Sequence, residues 1–266
     1  MSLLVERRPE VAHPFLEHPG PLAFAHRGGA GEAPENTMAA FTHAYDLGYR
    51  WFETDVRSTA DGELVVFHDP TLRRTAGVSQ RVDVLDLTAL ENARPGGEPV
   101  MRFVDVVYAF PDVRFNVDPK DDGAAVLLAS VVREHRLLER VCVASFSDAR
   151  LAWLRVALGP EALTALAPRE VMRLARAAKL RRTWQPRGLR VVQVPAGPRW
   201  MPLVDRSFVE AAHASELAVH VWTVDDTTTM LHLLDLGVDG LMTDRPGVLR
   251  DVLRARGKWF GAELTP

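Results

Sequence analysis

Cysteine is nearly absent: Cys142 stands alone in 266 residues, so no internal disulfide can form and nothing requires an oxidising compartment. Long apolar runs are missing too. The longest uncharged one, residues 124–132, falls far short of the roughly 20 residues a membrane-spanning helix needs. Glu6, Arg7, Arg8 and Pro9 stand where a secretory signal would carry its apolar stretch. These absences point to a soluble, cytoplasmic protein with no stable membrane insertion. Neither sign of charge is in large excess: 32 Lys and Arg oppose 35 Asp and Glu, a net charge of −3. A nucleic-acid binder usually shows a basic surplus to meet its polyanion, so that class is set aside. Low-complexity segments and exact internal repeats are also lacking. What remains is ordinary globular material, 47% hydrophobic and 25% charged, which excludes disorder as the main state.

Short β-rich runs alternate with amphipathic stretches almost from end to end. Strands are predicted at 22–25, 50–56, 64–67, 113–117, 141–145, 162–166, 189–194, 218–224 and 240–242. Apolar residues three and four apart, as with Leu231, Leu234 and Val238, predict helices at 37–47, 123–137, 148–158, 204–216, 227–236 and 246–254. Such alternation implies βαβ crossovers and a parallel sheet covered by helices. Eight units in roughly 250 residues are the size of a (β/α)₈ barrel. The expected fold is therefore α/β, a TIM barrel over residues 21–256 behind an N-terminal extension, residues 1–20. A stretch at about 73–97, with a capping-like Asp86 and the turn Arg94-Pro95-Gly96-Gly97, breaks the rhythm as a small insertion after the second strand region. A doubly wound two-domain protein is disfavoured, because no Gly-rich fingerprint follows a predicted strand.

Chemistry concentrates in the first half. His26-Arg27-Gly28 closes the first predicted strand, and Pro34-Glu35-Asn36-Thr37 opens a helix for which Asn36 suits the N-cap. Barrel enzymes assemble their sites at the ends of their strands, where His26 and Arg27 would stand. In the next strand, alternation puts Glu53 and Asp55 on one side and Phe52, Thr54 and Val56 on the other. With the apolar side toward the helices, two carboxylates face inward. Such a pair is costly unless a cation or basic group lies between them, and oxygen-only ligands suit a hard ion such as Mg²⁺ or Ca²⁺. His68-Asp69 closes another predicted strand, so two histidines flank the carboxylates as an acid–base couple near neutral pH. Asn116, Asp118 and Lys120 share one side of a further strand end, and a lysine there suits an anion such as phosphate. Each piece alone has a plainer reading: a loop-bonded histidine, edge carboxylates in surface salt bridges, an exposed turn lysine.

Taken together, these pieces resemble the glycerophosphodiester phosphodiesterase family in order and spacing. The resemblance rests on His26-Arg27-Gly28, Pro34-Glu35-Asn36-Thr37, Glu53-Thr54-Asp55, Thr59-Ala60-Asp61-Gly62 and His68-Asp69. It continues through Ala144-Ser145-Phe146, Val221-Trp222-Thr223-Val224, Gly237-Val238-Asp239-Gly240 and Thr243-Asp244-Arg245-Pro246. It implies a TIM barrel with a small insertion, and hydrolysis of glycerophosphodiesters to glycerol 3-phosphate and an alcohol with a divalent cation. It makes His26 and His68 the acid–base pair, Glu53, Asp55 and Asp118 the metal ligands, Arg27 and Lys120 the phosphate holders, and Trp222 a wall of the substrate pocket. Asp118 is one methylene shorter than the commoner glutamate, and Asp225 stands where many members carry asparagine.

His26 is assigned as base and His68 as acid. Other histidines read as ordinary: His43, His135 and His232 as surface helix residues, and His220 as a possible interior residue without a predictable partner. The seven arginines and one lysine between residues 168 and 190 fit a solvated helix better than a lipid-binding face. Two rivals to the hydrolase are weighed. One is a phospholipase-D-like or cyclising lyase on lipid phosphodiesters, which an apolar membrane-facing loop would favour. The other is a glycerophosphodiester-binding protein without turnover, which a missing histidine or carboxylate would favour. Head group and oligomeric state leave no mark in the sequence.

Overall fold

In the computed structural model, residues 13–186, 188–197 and 203–261 are described. The first twelve residues of the N-terminal extension, and Arg187 of the arginine-rich segment, lie outside them. The elements run β1 (Leu22–His26), α1 (Met38–Asp46), β2 (Trp51–Ser58), β3 (Leu64–Val66), α2 (Arg73–Ala76), α3 (Leu87–Ala93), α4 (Phe103–Ala109), β4 (Arg114–Pro119) and α5 (Asp122–Glu134). They continue as β5 (Val141–Val143), α6 (Asp148–Leu158), β6 (Leu163–Thr164), α7 (Pro168–Lys179), β7 (Val191–Pro195), α8 (Arg206–Ala214), β8 (Ala218–Trp222), α9 (Thr227–Leu236), β9 (Gly240–Thr243) and α10 (Pro246–Ala255).

Eight parallel strands pair in the order β6-β5-β4-β2-β1-β9-β8-β7. A parallel bridge between Ala165 and Val191 joins the two ends, so the sheet is a nearly closed TIM barrel, as the alternation predicts. The ninth strand, β3, is a correction. It runs antiparallel along β2, with Val56 opposite Val66, and belongs to no βαβ unit. Period-2 alternation carries no strand direction, so the residues alone could not make this distinction. The insertion therefore begins at β3 and includes α2 and α3. It has a small core of its own from Val65, Phe67, Leu72, Val82, Leu90 and Val100. The crossover to β4 is completed by α4, which is short and carries no side-chain cap to mark it in the sequence.

Alternation along the strands sorts side chains into two layers. Ala23 and Ala25 of β1, Phe52 and Val56 of β2, and Phe115 and Val117 of β4 face the surrounding helices. Leu22, Phe24, Trp51, Cys142, Leu163, Val191 and Met242 fill the barrel, and Phe15 closes its floor, its carbonyl accepting from the Trp51 indole at 2.9 Å. Helix starts are set by side-chain caps. Asp121, Ser147, Asp205 and Asp226 each accept a backbone N–H three residues on. For α1 the cap is Thr37 rather than Asn36, since Thr37 Oγ1 accepts from the Ala40 N–H. Asn36 instead sits in the left-handed region at φ 55° with its side chain turned inward. No described helix is long and apolar enough to cross a membrane.

His220 of β8 lies inside the barrel at 0% exposure. Gln193 Nε2 stands 3.5 Å from its Nδ1 and donates to Asn116 Oδ1 at 2.7 Å. Gly240 makes room for the ring, because a Cβ there would come within 2.9 Å of His220 Cδ2. Burial pushes this imidazole down to about 4, so the folded chain keeps it neutral where the unfolded chain protonates it. The unfolded state then binds more protons below pH ~6.5, and stability is lost as pH falls from there toward ~4. Between pH 7 and pH 5 the loss from this one group should be about 2 kcal/mol. Urea unfolding of the native protein and His220→Gln at both pH values checks it: the variant should show the smaller decline, and identical declines would contradict this account.

Candidate active site

The site residues gather at the carboxyl ends of the barrel strands. His26 is the last residue of β1 and is in register with Glu53 of β2; Asp55 of β2 is in register with Asp118 of β4. After His26 the chain turns left-handed through Arg27, Gly28 and Gly29, at φ 51°, 81° and 101°. At Gly28 a Cβ would meet that of Ala40 at 2.7 Å, so only glycine lets this turn lie against α1.

Burial dominates the electrostatics. Glu53 is 6% exposed and accepts the Arg27 backbone N–H at 3.2 Å. Desolvation and the neighbouring Asp55 charge push its carboxyl up to about 7, against the opposing pull of His26, Lys120 and Arg27. Asp55 is equally buried but better served. Lys120 Nζ lies 2.6 Å from its Oδ1, and Arg27 Nε lies 2.9 Å from its Oδ2, paired by charge without a well-aligned N–H. Burial raises the Asp55 carboxyl, yet Lys120, Arg27 and His68 outweigh it and hold the group below its usual range. Lys120 Nζ also donates to Asp118 Oδ2 at 2.7 Å, where burial still wins and the carboxyl is raised. Asn36 completes the cluster: its Nδ2 approaches Asp55 Oδ2 at 3.4 Å while its Oδ1 accepts from Thr54 at 2.8 Å.

The two histidines are held alike. His26 Nδ1 is 2.6 Å from Asp244 Oδ1, and His68 Nδ1 is 2.6 Å from Asp69 Oδ1. A carboxylate only accepts, so both Nδ1 atoms carry hydrogen and each Nε2 is left for chemistry. Burial would lower the His26 imidazole, but Glu53 and Asp244 overcome it and raise it above its ordinary value. Asp244 is in turn positioned by Asp225, whose Oδ1 accepts from the Asp244 backbone N–H at 2.8 Å and from Thr243 Oγ1 at 3.0 Å. Sequence reasoning names these two aspartates but gives them no role. Asp244 stands in the motif Thr243-Asp244-Arg245-Pro246 and Asp225 only as a departure from asparagine, and nothing in either shows that a residue 218 positions from His26 is its partner.

His68 does not come from a barrel strand; the antiparallel β3 of the insertion carries it in. Arg74 fastens that insertion to the barrel, donating to Asp69 at 2.7 Å and to Glu35 at 2.6 and 2.7 Å, while Glu35 accepts from Arg27 at 3.2 Å. On the opposite flank Trp222 ends β8 and meets Phe146 edge-on at 5.6 Å, and Phe146 lies 5.9 Å from Lys120 Nζ. Cavities of about 290 Å³ beside His68 and about 250 Å³ beside Trp222 adjoin the cluster. A larger one, about 750 Å³ and lined by His13, Arg133, Arg136 and Arg190, opens at the other end of the barrel and touches no predicted site residue. The ordinary histidines stay ordinary: His43 pairs with Glu32, His135 with the Tyr108 hydroxyl, and His232 is exposed. Arg169, Arg173, Arg176, Arg181 and Arg182 face solvent.

Among the described residues no three His, Cys, Asp or Glu side chains are gathered as the ligands of one ion. Lys120 supplies the counter-charge between Asp55 and Asp118 instead. The donor chemistry nonetheless fits a hard divalent cation. Glu53, Asp55 and Asp118 offer oxygen only, on neighbouring strands, and Glu53 is left short of positive charge.

Residues 26–248 match the model of the glycerophosphoryl diester phosphodiesterase family. A relative from Mycobacterium tuberculosis, described as a probable glycerophosphodiester phosphodiesterase, is 39% identical over 93% of this chain and 96% of its own length. A glycerophosphodiester phosphodiesterase from Caldanaerobacter subterraneus is 29% identical over 89% of this chain and 99% of its own. The crystal structure of an Oleispira antarctica phosphodiesterase, in complex with the product sn-glycerol-3-phosphate, superposes with a TM-score of 0.73 at 22% identity, covering 88% of this chain and 97% of that one.

The Arg74 tie makes a local prediction. Arg74→Ala should raise amide exchange across α2 and α3 by about fivefold and leave the barrel strands unchanged, since one half-exposed ion-pair node is worth roughly 1 kcal/mol. Equal exchange in both proteins would show that the insertion is held by its own core instead.

Proposed function

The chain belongs to the glycerophosphoryl diester phosphodiesterase family, and from that premise we propose how its barrel mouth hydrolyses glycerophosphodiesters to glycerol 3-phosphate and an alcohol. One observation carries the reading: two imidazoles, each fixed through Nδ1 by an aspartate, flank a cluster in which Arg27 and Lys120 offer positive charge. Glu53, Asp55 and Asp118 would hold a divalent cation, Mg²⁺ or Ca²⁺, and it would supply positive charge to offset that growing on the phosphate.

The substrate phosphate binds by its non-bridging oxygens to Arg27 and Lys120. Both retain capacity for it, since an ammonium has three N–H donors and a guanidinium five. His26 Nε2 takes a proton from the attacking hydroxyl, either water directly or the glycerol 2-hydroxyl, whose cyclic phosphate a water then opens to glycerol 3-phosphate. As the new O–P bond forms, the P–O bond to the alcohol breaks, and His68 gives its Nε2 proton to the departing oxygen. One proton is taken and one is given. Asp244 and Asp69 stabilise the protonated rings, and the raised basicity of His26 suits it to the first role. Trp222 walls the substrate pocket.

His26→Ala and His68→Ala should each lower kcat on glycerophosphocholine by about 10²–10⁴, the usual share of a positioned acid or base. A nitrophenyl phosphodiester, whose leaving group needs no proton, distinguishes the two. It should restore much of the rate to His68→Ala and little to His26→Ala. The reverse pattern would exchange the roles, and two variants as fast as the native protein would contradict the acid–base pair.

A further inference from the structure

His68 reaches the site from beyond the end of β3, with its side chain 32% exposed against 15% for His26. Its contact with Asp69 at 2.6 Å fixes the ring through Nδ1, but Asp69 is the next residue, so the two move as a unit. That bond orients the imidazole on its own backbone and does not place it relative to the barrel. Two hydrogen bonds tie this backbone to β2. The Phe67 N–H donates to the Asp55 carbonyl at 2.9 Å, and Arg57 Nε donates to the His68 carbonyl at 2.9 Å. Arg57 follows Asp55 by two residues on β2, and its side chain is only 13% exposed. Its Nη1 lies 3.4 Å from Asp121 Oδ2. Asp121 is itself held, accepting from Ser58 Oγ at 2.8 Å and, as the cap of α5, from the Ala124 N–H at 2.7 Å.

We infer that Arg57 is the positioning residue of the general acid: gripping the His68 carbonyl from a barrel strand, it sets where that imidazole meets the departing oxygen; the inference rests on the function proposed above. One edge of the guanidinium is anchored by Asp121, which follows Lys120 at the end of β4. Its single Nε–H is spent on the His68 carbonyl. Arg57 thereby sets the insertion in register with the strand end that holds the phosphate. Arg74 fastens the same insertion farther out, 49% exposed, through the side chains of Asp69 and Glu35. Arg57 differs in acting on the backbone of the histidine itself and in being better shielded from water. It touches neither substrate nor the reacting atoms, and the chemical steps are unchanged. A misplacement of about 1 Å can cost about a hundredfold in rate, so the grip is read in kcat.

Methionine and glutamine at position 57 separate the donor from the rest of the side chain. Both match arginine in length as far as Nε, but methionine ends there in a methyl group and glutamine in an amide that still donates. Arg57→Met should lower kcat on glycerophosphocholine by about 10- to 100-fold with little change in KM, and Arg57→Gln should recover most of that loss. Between glycerophosphocholine and the nitrophenyl phosphodiester, Arg57→Met should follow the pattern of His68→Ala, and in a His68→Ala background it should cost nothing further. Arg57→Leu, which also lacks the donor and carries the same expectations, replaces a methionine variant that fails to fold. Equal losses in the methionine and glutamine variants, or no loss in either, would overturn the assignment. So would a substrate pattern unlike that of His68→Ala, or losses that add in the double variant. Turnover of neither substrate by the native protein would contradict the phosphodiesterase reading itself. Proton NMR then decides the grip alone, through the Nδ1–H resonance of His68, assigned by its absence in His68→Ala. It should shift or broaden in Arg57→Met and keep its native position in Arg57→Gln, and an unmoved resonance in Arg57→Met would overturn the inference.

Discussion

Charge buried without enough water is the constraint on which this site depends. Glu53, Asp55 and Asp118 point into one poorly hydrated mouth because alternation on β2 and β4 leaves them no other side. Removing the partner of a buried charge typically costs about 3–5 kcal/mol, so the surroundings are arranged to supply partners. Lys120 bridges two of the carboxylates. Arg27 adopts a left-handed backbone that brings its guanidinium to Asp55, and Asn36 does the same for its amide. The same arginine extends the network through Glu35 and Arg74 to Asp69, and so to His68. The insertion is thus fastened by the charges it serves. Glu53 is the member least compensated, and it is the one whose carboxyl is raised most plainly.

The barrel separates stability from chemistry along its axis. Phe15, Trp51, Leu163 and Val191 pack its interior toward the floor, and the polar residues Asn116, Gln193 and His220 form a layer inside it. Glu53 is in register with Asn116 of that layer, and Asp55 and Asp118 follow two residues on. The two flanks of the mouth differ in kind, one mixed beneath the insertion, where Glu35, Asn36, His68 and Arg74 stand among apolar residues, and one mainly apolar against α7. A diester has two unlike halves, and a mouth with two unlike flanks can tell them apart.

Much of this was legible in the residues, and the exceptions share a cause. The inward pair Glu53 and Asp55, the outward Phe52 and Val56, and the strand-end places of His26 and Asp118 all follow from a period of two, a local property. Asn36 misled because an asparagine before a helix is a good cap, and only the fold reveals that Thr37 caps while Asn36 serves Asp55. The β3 segment was recognised as a strand but not as antiparallel, since direction is fixed by a partner and not by composition. Asp244 reaches His26 across the pairing of β9 with β1, and the groove near Trp222 draws on five separate stretches of chain. No single apolar loop marks that groove in the sequence. Contacts of long sequence separation are what one sequence read without relatives does not contain.

The central proposal is that the three carboxylates, although Lys120 shares two of them, would seat one divalent cation on which turnover would depend. Titration of chelator-treated protein with Mg²⁺ or Ca²⁺ by calorimetry, alongside release of glycerol 3-phosphate, tests it most directly. The account predicts one saturable ion per chain, activity that returns in step with its binding, loss of both in Glu53→Gln, and retained ion binding in His68→Ala. Full turnover in excess chelator, with no saturable ion binding to the native protein, would contradict it.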